Sequence, residues 1–202
     1  MVTALFAAMF ISCDKDDDNN SSPTPLSGGI SGTIEGDYAS WDLVGISLGE
    51  SDIVETTSIV DGKFSFSSLP TPKPEDFEPL TESEDMPAGV QISNKDAKIC
   101  TMSVLAIKGD IDASFEGRDI MQVLVTPNSI TMVMYCYVDR DVTIKGSVSD
   151  TEEGIKFTSE VDLNLKQGWN TMLMTMTGTE KDGLITSLKN GVPPSGAVWM
   201  GM

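Results

Sequence analysis

Three observations predict an all-β chain, an antiparallel β-sandwich built as one body or as two packed β sub-domains. Apolar residues alternate with polar ones at a period of two, Gly, Pro, Asn and Asp break the alternation at short intervals, and no window of 11 to 18 residues sustains an apolar stripe at helical spacing. Many short strands at regular spacing favour a sandwich or open barrel over alternating βα units. In order, Ile30, Gly32 and Ile34 mark a first strand, and 43–48 a second. Segments 53–60 and 63–69 follow, joined by Asp61-Gly62, a pair that tolerates positive φ and so suits a tight hairpin. Later candidates are 99–107, 120–126, 130–138, 142–148, 155–165, 172–177 and 198–200.

Composition narrows the chemistry. The 202 residues contain no histidine, which excludes Ser-His-Asp and Cys-His catalysis, His-ligated zinc and the H-E-x-x-H metalloproteases. The formal net charge of -18 argues against nucleic acid, whose phosphates are held by Lys and Arg. The excess charge is uneven. Residues 1–90 hold 17 acids and three lysines, whereas residues 91–202 hold 14 acids and 10 bases.

Residues 1–12 are apolar and uncharged, too short for a membrane-spanning helix of about 20 residues but suited to the apolar core of a secretory signal. Cys13 follows, then Asp14-Lys15-Asp16-Asp17-Asp18-Asn19-Asn20 and a Ser/Pro-rich stretch. Such a run buries too little apolar surface to order itself, so 13–27 reads as a flexible acidic tether and 28–202 as the body. Within the body, 71–90 is rich in proline and acid, and it is either a surface loop or a boundary between sub-domains 28–70 and 91–202.

Phe10-Ile11-Ser12-Cys13 resembles the lipobox of bacterial lipoprotein signals. The Cys-Asp-Lys-Asp-Asp-Asp string is similar to the export signal of Bacteroidetes surface lipoproteins. The resemblance implies cleavage before Cys13, acylation of that cysteine, and a head held at the outer membrane or cell surface. Its partners would then be the membrane, through Cys13, and a protein or glycan ligand. Residues 28–70 are similar to the carboxypeptidase-regulatory or transthyretin-like β-sandwich repeats, through Gly29-Ile30-Ser31-Gly32-Thr33-Ile34 and Asp61-Gly62-Lys63-Phe64-Ser65-Phe66. Residues 130–178 resemble the C-terminal part of uncharacterised Bacteroidetes lipoproteins, through Asp139–Val142 and Gly168-Trp169-Asn170. These last two resemblances imply architecture and no activity.

Candidate site residues are few. Cys100 and Cys136 lie on apolar faces of their strands and are either a disulfide of an exported protein or two buried free thiols. Met172, Met174 and Met176, with Met132 and Met134, are thioethers on one strand face, read as flexible core filler rather than a copper site. Asp110, Asp112, Ser114 and Glu116 alternate as calcium ligands do, but Phe115 and Met121 break the EF-hand pattern, so a solvated turn is expected. Tyr135, Tyr137 and Trp199 form an aromatic row that is either exposed to a ligand or covered by a second layer. Without a motif for catalysis, a cofactor or a metal, the expected role is non-catalytic binding or assembly, with glycan capture and a small carboxylate hydrolase as alternatives.

Overall fold

Strands form where alternation predicts them, and the sheet they build is folded on itself. The computed structural model describes residues 26–80, 89–109, 111, 116–152, 155–179 and 183–201. Its strands are β1 (Ser31–Thr33), β2 (Leu43–Leu48), β3 (Ile53–Ser58), β4 (Lys63–Ser65), β5 (Glu78–Pro79), β6 (Gln91–Ile92), β7 (Lys98–Lys108), β8 (Glu116–Thr126), β9 (Ser129–Val138), β10 (Val142–Glu152), β11 (Ile155–Leu165), β12 (Gly168–Thr179), β13 (Gly183–Asn190) and β14 (Val198–Gly201). Helix among the described residues is limited to two 3-10 turns, Asp37–Ser40 and Pro74–Asp76. The all-β expectation holds.

β1 and β4 make a two-stranded sheet, and the other twelve strands make one large sheet. Its path runs β3-β2-β7-β8-β9-β12-β13-β11-β10-β6, with β14 on β8 and β5 on β7. β7 pairs with β5 and β9 at Lys98–Thr101 and with β2 along Met102–Ile107. β8 pairs with β7 at Glu116–Asp119, then with β9 and β14 further on. Each of these long strands therefore serves two layers, which turns one sheet into a sandwich.

Side chains alternate across a strand, so β9 sends Val133, Tyr135 and Tyr137 to one side and Met134, Cys136 and Val138 to the other. Both sides are packed. The first core joins Ile30, Ile34, Val44, Ile46, Leu48, Phe64, Phe66, Tyr135, Trp169 and Trp199. The second joins Ile92, Ala97, Cys136, Val138, Val142, Ile144, Leu163, Leu165 and Met172, with Leu80, Val90 and Ile99 packed on it. Residues from 28–70 and from 91–202 meet in the first core.

The Asp61-Gly62 turn forms as expected, with φ of 51° and 70° and mutual hydrogen bonds between Val60 and Lys63. The hairpin expected beyond it does not extend. β4 leaves β3 and pairs with β1, so Phe64 and Phe66 enter the first core, where Phe64 packs edge-on to Trp199 at 5.2 Å. β13 has no counterpart among the expected strands. It sits inside the sheet between β12 and β11, parallel to β11, and Leu184-Ile185-Thr186-Ser187-Leu188 lacks clean alternation.

Trp199 is 2% exposed and organises the first core. Its ring stacks on Tyr135 at 6.3 Å, and Gly32 lets it approach, since a Cβ there would lie 2.4 Å from Trp199 Cδ1. Trp199→Ala is expected to lower stability by about 3–5 kcal/mol in urea unfolding. Val60→Ala, at an exposed position, should stay within about 0.5 kcal/mol.

Candidate functional site

The aromatic row does not face a ligand. Tyr135 is 6% exposed, and its hydroxyl donates to Gln122 Oε1 at 2.8 Å. Burial pushes that phenol up to about 12. Tyr137 is half-buried between the rings of Phe77 and Trp169, edge-on to both. Trp199 donates its indole N–H to Ser31 O. The ligand-facing reading of Tyr135, Tyr137 and Trp199 is thus corrected. β1, β4 and the segment through Phe77 lay a second layer over this face of the sheet.

The two described cysteines do not pair. Cys100 sits opposite Tyr137 and Thr101 opposite Cys136, so the pleat puts the two sulfurs on opposite faces of adjacent strands. Both thiols are free and buried, one in each core. Burial, helped by the nearby Asp76 charge, raises the Cys100 thiol to about 11, and burial raises Cys136 to about 12. Neither provides a thiolate at neutral pH. Cys136 Sγ instead donates to Met172 Sδ at 3.7 Å. Cys13 lies outside the described residues, as do Asp110, Asp112 and Ser114; Glu116 opens β8.

A depression of about 510 Å³ lies beside the start of β3, lined by Leu48, Ile53, Val54, Pro70, Lys73 and Asp76 among others. Asp76 closes the turn Pro74–Asp76. Its carboxylate accepts the Lys73 backbone N–H at 2.7 Å and the Ser51 hydroxyl at 2.5 Å. Gly49, at φ +55°, fits beneath, because a Cβ there would lie 2.7 Å from the Asp76 carbonyl. The Ser51 hydroxyl first, and the Lys73 N–H second, hold the carboxyl below its ordinary 3.8, while desolvation opposes them. A carboxylate so engaged is a poor proton acceptor. It ties the loop through Lys73 to the end of β2.

The other well-partnered polar groups also build turns. Asp139 accepts the Lys98 N–H at 2.8 Å and Asp141 the Gln167 N–H at 2.9 Å. The Asn170 amide spans the turn before β12, accepting from Lys166 N and donating to the carbonyls of Lys166 and Gly168. Among the described residues, no three His, Cys, Asp or Glu side chains gather as metal ligands would.

Among the described residues, one stretch of sheet face keeps apolar side chains exposed. Beyond the second core, the side shared by β8, β9, β12, β13 and β11 carries Val125, Ile130, Met132, Met174, Met176, Leu184 and Phe157, with Thr186 and Ser159 among them and Val123 buried beside Val125. Val125 is 62% exposed, Ile130 40%, Leu184 37% and Phe157 36%. The described residues of the segment that covers the second core, Leu80, Val90, Ile92, Ala97 and Ile99, pack on that core. Alternation alone could have located this face, since Ile130, Met132, Met174 and Met176 fall on one parity.

Two outcomes follow. Asp76 has a lowered folded value, so its contribution is complete above the unfolded value of 3.8 and fades as pH falls through the folded one. The urea midpoint of the native chain should therefore exceed that of Asp76→Asn at neutral pH, with the gap closing below about pH 4. Ellman's reagent at about pH 8 should leave Cys100 and Cys136 unmodified in the folded chain and label both in guanidinium. Compared with family models, with curated proteins and with solved structures, the chain matches none.

Proposed function

We propose that the chain is a lipid-anchored lipoprotein of the outer membrane or cell surface whose β-sandwich head serves non-catalytic binding or assembly. The uncharged apolar run ending at Cys13, followed at once by Asp-Lys-Asp-Asp-Asp, carries the reading. One acyl chain holds a protein only marginally, whereas a cysteine with several chains anchors it stably. The tether supports this arrangement. Residues 14–25 span up to about 40 Å when extended, and the acids keep that length solvated. Leu26 N–H bonds to Trp169 O, which joins the tether to the head at the start of β12.

The binding role rests on chemistry that is spoken for and on surface that is not. Among the described residues, Asp76, the buried carboxylate, is engaged in a turn, the two thiols are deep in two cores, and apolar side chains such as Val125 and Ile130 are exposed on one sheet face. No described helix is long and apolar enough to cross a membrane, so anchoring in this reading depends on Cys13.

Metabolic labelling with an alkyne fatty acid tests the anchor. The native chain should take up label and partition with membranes, and Cys13→Ala should lose both. Equal labelling of Cys13→Ala, or mature protein that retains residues 1–12, would overturn the proposal.

A further inference from the structure

The end of β13 holds a chemically labile pair. Asn190-Gly191 is the one Asn-Gly step in the sequence. Asparagine before glycine modifies itself readily, because the glycine nitrogen reaches the side-chain carbonyl carbon with no Cβ in the way. We infer that Asn190 is a deamidation site that the closed seam between β11 and β13 holds shut, so that opening of the seam leaves a permanent covalent mark.

Packing explains why so labile a step stands here. A Cβ at Gly191 would lie 2.3 Å from Leu173 Cδ1 and 2.7 Å from its Cγ. Leu173 is half-buried against the first core, on a strand flanked by β9 and β13, and has little room to give way. Glycine is thus required at 191 for a close approach. Asn190 has a task of its own. The parallel ladder of β13 on β11 ends with Asp162 opposite Lys189, and the Asn190 side chain extends it, its Oδ1 accepting the Asn164 backbone N–H.

The same contacts block the reaction. Ring closure needs the Gly191 nitrogen to lose its proton and attack Asn190 Cγ, with ammonia leaving as the succinimide forms. Water then opens the ring at either carbonyl, giving aspartate or isoaspartate. In the folded chain the Gly191 N–H donates to Thr171 O at 3.3 Å, and Thr171 is 9% exposed. The nucleophile is therefore bound to β12 and keeps its proton, while the electrophile is bound to β11. Both bonds must break before the ring can close, and both belong to the seating of β13.

The two products differ in their effect on the seam. Aspartate keeps the main chain and offers the Asn164 N–H a carboxylate oxygen in place of the amide oxygen. Isoaspartate routes the main chain through Cβ and adds one atom between Asn190 and Gly191. The Gly191 N–H then no longer meets Thr171 O, and the backbone beside Leu173 is displaced where the fit is closest. A chain carrying isoaspartate cannot seat the end of β13 as before.

The experiment ages the full chain in mildly alkaline buffer, folded or unfolded in guanidinium, and follows Asn190 by peptide mass spectrometry that separates aspartate from isoaspartate. Deamidation should be at least about tenfold slower in the folded chain. Leu188→Ala, which trims a β13 side chain packed on the second core, should speed it in the folded chain at least about threefold, whereas Val60→Ala should leave it unchanged. Chain aged while unfolded and returned to native buffer should regain protease resistance with aspartate at 190 but not with isoaspartate. Asn190→Asp should be as protease-resistant as the native chain, which separates the new carboxylate from the extra main-chain atom. Equal rates in the folded and unfolded chain, or native protease resistance with isoaspartate at 190, would overturn the inference. So would a folded-state rate that Leu188→Ala leaves unchanged, since opening would then not run through β13. Cys13→Ala should age at the native rate, so this site and the anchor are tested apart.

Discussion

Burial of the same strands on both faces is the constraint from which the rest follows. β9 and β12 divide the molecule, with Tyr135 and Trp169 in one core and Cys136 and Met172 in the other. A strand so placed has no polar side, which is why 130–138 reads Ile-Thr-Met-Val-Met-Tyr-Cys-Tyr-Val, with Thr131 the one hydroxyl outside the tyrosines. Two covers are then required. β1 and β4 supply one, and the segment around Ile92 and Ala97 supplies the other. Among the described residues the second cover does not reach Val125 and Ile130, which stay exposed.

Acids are abundant in this chain, and those that touch the fold are used to hold backbone rather than to meet one another. Asp76, Asp139 and Asp141 each accept a main-chain N–H at a turn, and the lowered values of Asp76 and Asp141 follow from those hydrogen bonds and their hydroxyl or lysine partners. The arrangement spaces like charges along loops that need capping. It explains how a domain with so few cations keeps its turns in place, and why exposed pairs such as Lys166–Asp141 add little beyond position.

Strand existence was legible because alternation is a direct print of the pleat. Strand pairing was less so. Asp61-Gly62 correctly marked a turn, yet the fate of β4 was decided by where Phe64 and Phe66 could bury, a tertiary fact that the turn does not encode. β13 escaped because an internal strand with partly buried residues on both sides loses the contrast on which periodicity depends. The aromatic row posed a real ambiguity: a sequence shows that Tyr135 and Tyr137 share a face but not whether β1 and β4 will roof it. The Cys100–Cys136 question was settled by register, which places Thr101 rather than Cys100 opposite Cys136. The methionine stripe is a divided case: Met172 and Met134 pack in the second core as expected of core filler, while Met132, Met174 and Met176 lie further along the same strands and outside both cores.

The position of β13 has a consequence for how the molecule is assembled. β10 and β11 zip together locally, and so do β12 and β13, but the seam between β11 and β13 joins parallel neighbours through a long detour of chain. Closing such a seam costs chain entropy before any ladder bond forms, so it belongs late in folding. Until then β11 and β12 each present a bare edge eleven or twelve residues long, flanked by apolar side chains. The last tenth of the polypeptide thus acts as the wedge that seals the sheet, and an arrested or clipped chain ending before Gly183 would expose two strand edges well suited to sticking to one another.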